Sequence, residues 1–154
     1  MADEINTTAE VAEASAMRIG RAVHTNPEGC PPTAEQEPLP DAIARKPVDQ
    51  KSPAEWAYER LILYIKNFEQ TLDNEHEVAM GLTDTGAGVL RIEGLGYFDP
   101  DIVTFYGSDM GGARIQLVQH VSQLNVVLRA NPKAVAAEPP RRIGFELAES
   151  LNEA

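Results

Sequence analysis

Three neutral polar side chains, Gln119, His120 and Gln123, lie close together between two apolar stretches of the sequence. Imidazole and carboxamide groups donate and accept hydrogen bonds, so they can bind a base edge or a 2′-hydroxyl without strong positive charge. These residues therefore predict a ligand site for RNA or a nucleotide. His120 equally fits a structural role, as the residue that fixes the turn between two strands.

A second candidate site is the basic pair Arg141 and Arg142. Adjacent guanidinium groups can bind a phosphate or a carboxylate of an anionic small ligand. The alternative hypothesis is that the same pair is the solvent-exposed start of a strand and binds no ligand.

No pattern of residues points to catalysis, a metal or a cofactor. His76, His120, Asp99 and Asp101 lack the spacing of metal ligands, and no nucleophile elbow surrounds Ser108 or Ser122. The glycine-rich stretches "GLGYF" and "GSDMGG" fit turns rather than phosphate-binding loops. We therefore expect a binding protein that is not an enzyme and holds neither metal nor cofactor.

The overall charge narrows the classes of partner. The net charge is −11 over 154 residues. Neutralisation of phosphates by Lys and Arg supplies most of the affinity of a protein for nucleic acid. The negative net charge therefore opposes nucleic-acid binding unless the basic residues cluster. No apolar run is long enough for a membrane span, so we expect no membrane partner. The single cysteine, Cys30, fits a cytoplasmic protein.

The elements that must position these residues begin after a long tail. Residues 1–51 contain six of the 11 prolines and few large apolar residues, which predicts an acidic, proline-rich disordered tail. Ser52 and Pro53 then form a helix start with a capping box to Glu55. Apolar residues recur at helical spacing along one face to about residue 73. Trp56 and Tyr64 extend the apolar surface beyond that face.

After the helix the apolar residues alternate, which predicts strands. The alternation continues through four strands to His120, and residues 121–129 fit either a strand or a short helix. Ile143, Phe145 and Leu147 predict a last strand, followed by an acidic end at 148–154. We therefore expect an α+β domain over 52–147, a helix followed by a strongly bent, five- or six-stranded antiparallel sheet or partly open barrel. Its edges could pair between copies of the chain, which predicts a homo-oligomer.

This order resembles the Sm-like superfamily, in particular the Hfq branch of bacterial RNA chaperones. Three segments carry the resemblance: "FEQTLDNEHEVAMGL", "RIEGLGYFDPDIVTFYG" and "IQLVQHVSQLNVVL". The resemblance implies a ring-forming, SH3-like open barrel that binds RNA beside the histidine of the third segment. The segment from Ser52 to Leu147 also resembles a small uncharacterised bacterial domain family.

Several RNA-contacting positions of the Sm-like family hold other residue types here. Gln119 replaces a phosphate-binding lysine, Asp73 and Asn74 replace rim arginines, and Gly81 replaces a stacking aromatic residue. Tyr97 or Phe98 could supply the aromatic ring before the third strand, although Phe98 equally fits the core. A protein–protein adaptor, using the acidic surface and the helix at 53–73, is therefore the second hypothesis.

Overall fold

A computed structural model of the chain describes residues 22–25, 31, 33–82, 88–133 and 135–153. Its α-helices are α1 (Asp41–Ala44), α2 (Pro53–Gln70) and α3 (Ile143–Glu153). Its strands are β1 (His76–Leu82), β2 (Gly88–Phe98), β3 (Ile102–Ser108), β4 (Arg114–His120) and β5 (Val126–Pro132). Short 3₁₀ turns span Ala34–Gln36, Val48–Gln50 and Val121–Gln123.

The five strands form one antiparallel sheet in the order β4-β3-β2-β1-β5. β1 pairs with β5 along its whole length, from His76 opposite Pro132 to Leu82 opposite Val126. It pairs with β2 only at its last three residues, from Met80 opposite Leu90 to Leu82 opposite Gly88. The longer part of β2 pairs with β3 instead, so β2 joins the two halves of the sheet. The predicted α+β class, with a helix and a five-stranded antiparallel sheet, is confirmed.

A β-bulge interrupts the pairing of β2 with β3. Ile92 lies opposite Gly107 and Gly94 opposite Tyr106, which leaves Glu93 as an extra residue in β2. A bulge of this kind increases the local twist of a strand. It stands where β2 passes from one half of the sheet to the other.

The hydrophobic core lies between the sheet and the helices α2 and α3. Its largest fully buried members come from α2 and three strands: Ile62, Ile65, Met80, Leu90, Ile92, Val103 and Phe105. Ile143 and Leu147 of α3 complete the cluster. The helices therefore fix the side of the sheet that faces inward.

The start of α2 follows the predicted local signals. Ser52 is the N-cap, and its Oγ accepts a hydrogen bond of 3.0 Å from the backbone N–H of Glu55. Pro53 occupies the first turn. The Glu55 carboxylate, which the capping box would direct to Ser52, instead accepts from Lys46 Nζ at 3.0 Å.

The prediction of a last strand at 143–147 is wrong, because this segment is the helix α3. Ile143 and Leu147 are four residues apart, so they lie on one helical face and are buried together, whereas Phe145 is exposed. The Glu69 carboxylate accepts from the backbone N–H groups of Gly144 and Phe145 at 2.9 and 3.1 Å. These two bonds satisfy backbone amides that a helix start leaves unpaired.

Residues 121–129 contain both structures that the sequence left open. Val121–Gln123 is a 3₁₀ turn, and β5 follows from Val126. The turn ends before the strand begins, so neither element extends through the whole segment.

The predicted disordered tail covers residues 1–51, and residues 1–21, 26–30 and 32 lie outside the described part. From residue 33 onward the described chain contacts α2. Ile43 in α1 is buried, and Lys51 Nζ donates to Glu59 Oε2 at 2.8 Å and to the carbonyl of Ile43. At the other end, α3 includes most of the predicted acidic segment 148–154. Within the described ranges no helix has the length and apolarity needed to cross a membrane.

Candidate functional site

The end of β4 and the 3₁₀ turn after it bring Gln119, His120 and Gln123 together. His120 is the N-cap of the turn, and its Nδ1 accepts from the backbone N–H of Ser122 at 3.0 Å. Gln123 Oε1 accepts in return from the backbone N–H of His120 at 2.8 Å. This reciprocal pair is a capping box. His120 therefore holds the turn that positions Gln123, while Gln119 is positioned by β4.

His120 also joins this turn to the one between β2 and β3. Its Nε2 lies 3.2 Å from Asp101 Oδ2, and the backbone N–H of Val121 donates to the Asp101 carbonyl at 2.8 Å. Both side chains are close to half exposed, with 46% for His120 and 43% for Asp101. The candidate site is thus a solvent-accessible junction of two loops.

The bonds of His120 define what its ring can do chemically. Nδ1 accepts from a backbone N–H, so the proton of the neutral ring lies on Nε2 and is directed at Asp101. Ser122 Oγ lies 2.7 Å from the same Nδ1. The single Nδ1 lone pair is therefore shared between a backbone amide and a hydroxyl, which suits a turn cap better than a general base.

Gln119 lies on the inward side of β4, opposite Val103. Its Oε1 is buried and has no hydrogen-bond partner among the described residues. Its Nε2 is 3.5 Å from the Gln123 carbonyl, a long separation for such a bond. Gln119 thus holds a buried acceptor without a described partner on the inward side of the sheet.

The two aromatic candidates occupy opposite sides of the sheet. Tyr97 lies opposite Val103 on the inward side, and its ring centroid is 5.0 Å from that of Tyr58 in α2. Burial, reinforced by the charges of Glu55 and Asp99, raises the pKa of Tyr97. Phe98 is 75% exposed, so its suggested core position is wrong.

Phe98 shares its side of the sheet with His120. Phe98 lies opposite Ile102, and Ile102 lies opposite His120. Phe98 rather than Tyr97 is therefore the aromatic side chain in the same row as the histidine. The short turn at 99–101 is the feature of the sequence that could have indicated this position, because it places Phe98 and Ile102 opposite each other in adjacent strands.

An exposed apolar surface extends from this row across the outward side of β2, β3 and β4. We call it the outer patch and define it as Phe98, Ile102, Tyr106 and Val118. Tyr106 lies beside two glycines of β2, and a β-carbon at Gly96 would lie 3.6 Å from its Cε2 and 2.6 Å from Thr104 Oγ1. The glycines thus leave room for the tyrosine ring close to the strand. The sequence prediction did not include Tyr106, Val118 or Ile102 in a site.

Arg141 and Arg142 lie elsewhere, immediately before α3. Arg142 donates from Nη1 to the His76 carbonyl at 2.8 Å and from Nη2 to the Asp73 carbonyl at 2.9 Å. The backbone N–H of Arg141 donates to Glu77 Oε1 at 2.9 Å. The basic pair therefore contacts the start of β1 and lies apart from Gln119, His120 and Gln123 at the end of β4.

In the part of the chain that the structure describes, no group of three or more His, Cys, Asp or Glu side chains could hold a metal ion. The carboxylates nearest to the candidate site each have another partner. Asp101 contacts His120, and Asp99 accepts a bond from Ser52 Oγ at 2.5 Å.

Comparison with protein-family models gives a match. A family model with the description "Family of unknown function (DUF6173)" matches residues 47–146. The match includes α2, all five strands, the His120 junction and the arginine pair. No curated protein and no solved structure matches the chain.

Proposed function

The chain belongs to the DUF6173 family, and from that premise we propose a non-catalytic binding module that assembles with its own copies through its sheet edges. We further propose that the assembled module binds the base of an RNA or a nucleotide at the outer patch beside His120. The observation that carries the proposal is the open sheet, whose outermost strands β4 and β5 have no further strand beside them among the described residues.

The assembly is supported by the form of the two edges. β4 and β5 each contain seven residues, and each presents a row of backbone groups with no strand partner in the described structure. Such an edge is a template for pairing with another chain. Pairing β4 of one copy with β5 of the next is a heterologous contact, which closes into a ring if the rotation fits.

An Sm-like, Hfq-like relationship is part of this proposal. It is supported by the order of elements, with a helix followed by five antiparallel strands, and by the position of His120. This histidine lies between the fourth and fifth strands, where the resembling segment has its signature histidine. A cytoplasmic location belongs to the same proposal and is supported by the low cysteine content.

Base recognition is supported by the chemistry of the outer patch. Phe98 and Tyr106 offer exposed rings on which a base can stack. His120 and the neighbouring amide of Gln123 supply neutral hydrogen-bonding groups at the end of β4, whereas Gln119 lies on the other side of the sheet. The high negative charge of the chain favours a ligand with few phosphates over a long polynucleotide.

The adaptor hypothesis is the second candidate, and the contacts of α2 argue against it. The hydroxyl of Tyr64 donates to Glu35, and Asn67 Nδ2 donates to Glu37 Oε1 at 3.1 Å. Burial and the bond to Glu35 raise the pKa of Tyr64 to about 12. A partner on this face of α2 would have to displace residues 33–37, so we place the adaptor function second.

Lysines on both edges should prevent assembly. Val118 in β4 and Val127 in β5 are 57% and 46% exposed, so a lysine at each position is tolerated by the fold but opposes edge pairing. The Val118→Lys, Val127→Lys double variant should elute as a monomer in size-exclusion chromatography with light scattering, whereas the unmodified chain should form a defined oligomer.

Two further variants control this experiment. Val118→Lys with Val127→Glu carries opposite charges on the two edges and should regain the oligomer. Val135→Lys, at a residue 49% exposed outside the strands, should leave assembly unchanged. A monomeric unmodified chain would overturn the assembly proposal.

Phe98→Ala should weaken nucleotide binding about tenfold, the loss expected when one stacked base loses its aromatic partner. The measurement is fluorescence anisotropy with labelled adenosine monophosphate and with a labelled single-stranded RNA hexamer at low salt. Met110→Ala is the matched control, since Met110 is 74% exposed against 75% for Phe98 but lies in the β3–β4 turn. If the unmodified oligomer binds neither probe, the base-recognition proposal fails and the adaptor hypothesis takes its place.

A further inference from the structure

A cleft of about 450 Å³ lies between the start of β1, β2 and the segment leading into α3. Its volume falls in the range of small-molecule sites. Arg91, Arg141 and Arg142 line it together with Glu77. The cleft is separate from the outer patch, because none of the outer-patch residues lines it.

The three arginines of the cleft differ in how many of their guanidinium donors have a hydrogen-bond acceptor. The Arg142 guanidinium is bound to two backbone carbonyls and has a structural role. Arg91 makes only an ion pair in the described structure, with 3.7 Å between its Nε and Glu77 Oε2. The Arg141 guanidinium likewise makes only a long ion pair, with 3.9 Å between Nη2 and Glu146 Oε2.

The Nε of Arg91 is the strongest indication of a ligand. This atom is buried and has no hydrogen-bond acceptor among the described residues. Glu77 cannot supply one, because its Oε1 already accepts from the Arg141 backbone and its Oε2 is too distant. A buried donor of a charged group without an acceptor is costly. The Arg91 side chain as a whole is 40% exposed and lines the cleft, so an oxyanion entering the cleft can reach the guanidinium and supply an acceptor.

The remaining walls of the cleft indicate what the oxyanion is attached to. Pro139, Pro140, Val135 and the half-exposed ring of Phe145 form an apolar side. Glu77, Glu138 and Glu146 equal the arginines in number, so the cleft has no excess positive charge to hold a dianion. These features favour a single carboxylate on an apolar or aromatic group over a phosphate.

We propose that this cleft binds a small apolar monocarboxylic acid, whose carboxylate accepts from Arg91 and Arg141 while its apolar group packs against Phe145 and the two prolines. Arg142 and Glu77 position the segment that carries Arg141. The site needs no residue of the outer patch and no second copy of the chain. Failure of assembly or of base binding would therefore leave it intact.

Phenylacetate is a suitable probe, and the full chain can be titrated while its backbone amide shifts are followed by NMR. We expect saturable shifts at Arg141 and Phe145. Arg91→Gln and Arg141→Gln should each weaken binding about tenfold, the loss typical of one charge-assisted hydrogen bond. Arg114→Gln, at an exposed arginine of β4 outside the cleft, should leave the affinity unchanged.

Two comparisons on the unmodified chain need no variant. Phenylacetamide has the same ring without the charge and should not bind, and phenyl phosphate should bind more weakly than phenylacetate. The proposal is overturned if the amide binds as well as the acid, if the phosphate binds more tightly, or if no saturable shift occurs in the cleft. It is equally overturned if Arg114→Gln weakens binding as much as the two cleft variants do.

Discussion

Gly107→Ala should lower the free energy of unfolding by about 3 kcal/mol or more, the upper end of the cost of overpacking a core. Gly107 lies in β3 on the side that faces the core. A β-carbon there would overlap the Arg91 carbonyl oxygen and lie 2.8 Å from Leu90 Cδ1. The carbonyl belongs to the backbone of β2, which is paired with β3 on both sides of this point, so it cannot move without breaking the sheet.

Urea unfolding followed by far-ultraviolet circular dichroism measures this loss. Gly111→Ala is the control, because its added β-carbon would meet only Asp109 Oδ1, at 3.4 Å, in the β3–β4 turn. We expect the control to stay within about 1 kcal/mol of the unmodified chain. Equal stability of the two variants would contradict the close approach of β2 and β3.

Glu69→Ala should destabilise the domain by about 2–3 kcal/mol, because it removes a buried helix cap. Glu69 is only 4% exposed, and its carboxylate holds the first amides of α3. Without it, two backbone donors lose their acceptor and the positive end of the helix loses a nearby carboxylate. Hydrogen exchange should show the loss first in α3, whose Ile143 and Leu147 depend on this docking.

The pH dependence of stability provides a second readout for Glu69. Burial raises the pKa of Glu69, against the opposing effect of its two backbone bonds. The folded chain then keeps a proton that the unfolded chain has lost, so stability contributed by Glu69 declines as pH rises from about 4.5 through the raised pKa. Glu69→Gln should remove that part of the decline.

Glu149→Ala serves as the control for both measurements, since Glu149 is an exposed residue of α3, the helix that Glu69 caps. Glu59 is also buried with a raised pKa, so some acid-range dependence should remain in the Glu69 variants. An unchanged unfolding free energy in Glu69→Ala would show that α3 does not need this cap.

The features of the fold that depend on neighbouring residues could be predicted from the sequence. Ser52 and Pro53 start α2 because capping is a local interaction, and alternation identified the strands up to His120. The error at 143–147 has a non-local cause. Ile143 and Leu147 fit both a strand and a helix, and the helix is capped by Glu69, which lies far away in the chain.

The candidate site was predictable only in part for the same reason. The order of elements was enough to place His120 at a loop junction, but its Asp101 partner follows from strand pairing. Arg91 could not be linked to Arg141, because nothing in the sequence shows that β2 passes beside the segment before α3. Phe98 was assigned to two possible environments because its side depends on the bulge at Glu93.

The bulge at Glu93 has a consequence for variation in chain length. A regular alternation from Ile92 onward would turn Phe98 toward the core and Tyr97 toward solvent, and the extra residue reverses this assignment. Because Glu93 has no partner in β3, a chain one residue shorter at this point would keep both sides of the sheet unchanged. β2 can therefore tolerate a deletion here, whereas a deletion between Gly94 and Phe98 would exchange the residues on its two sides.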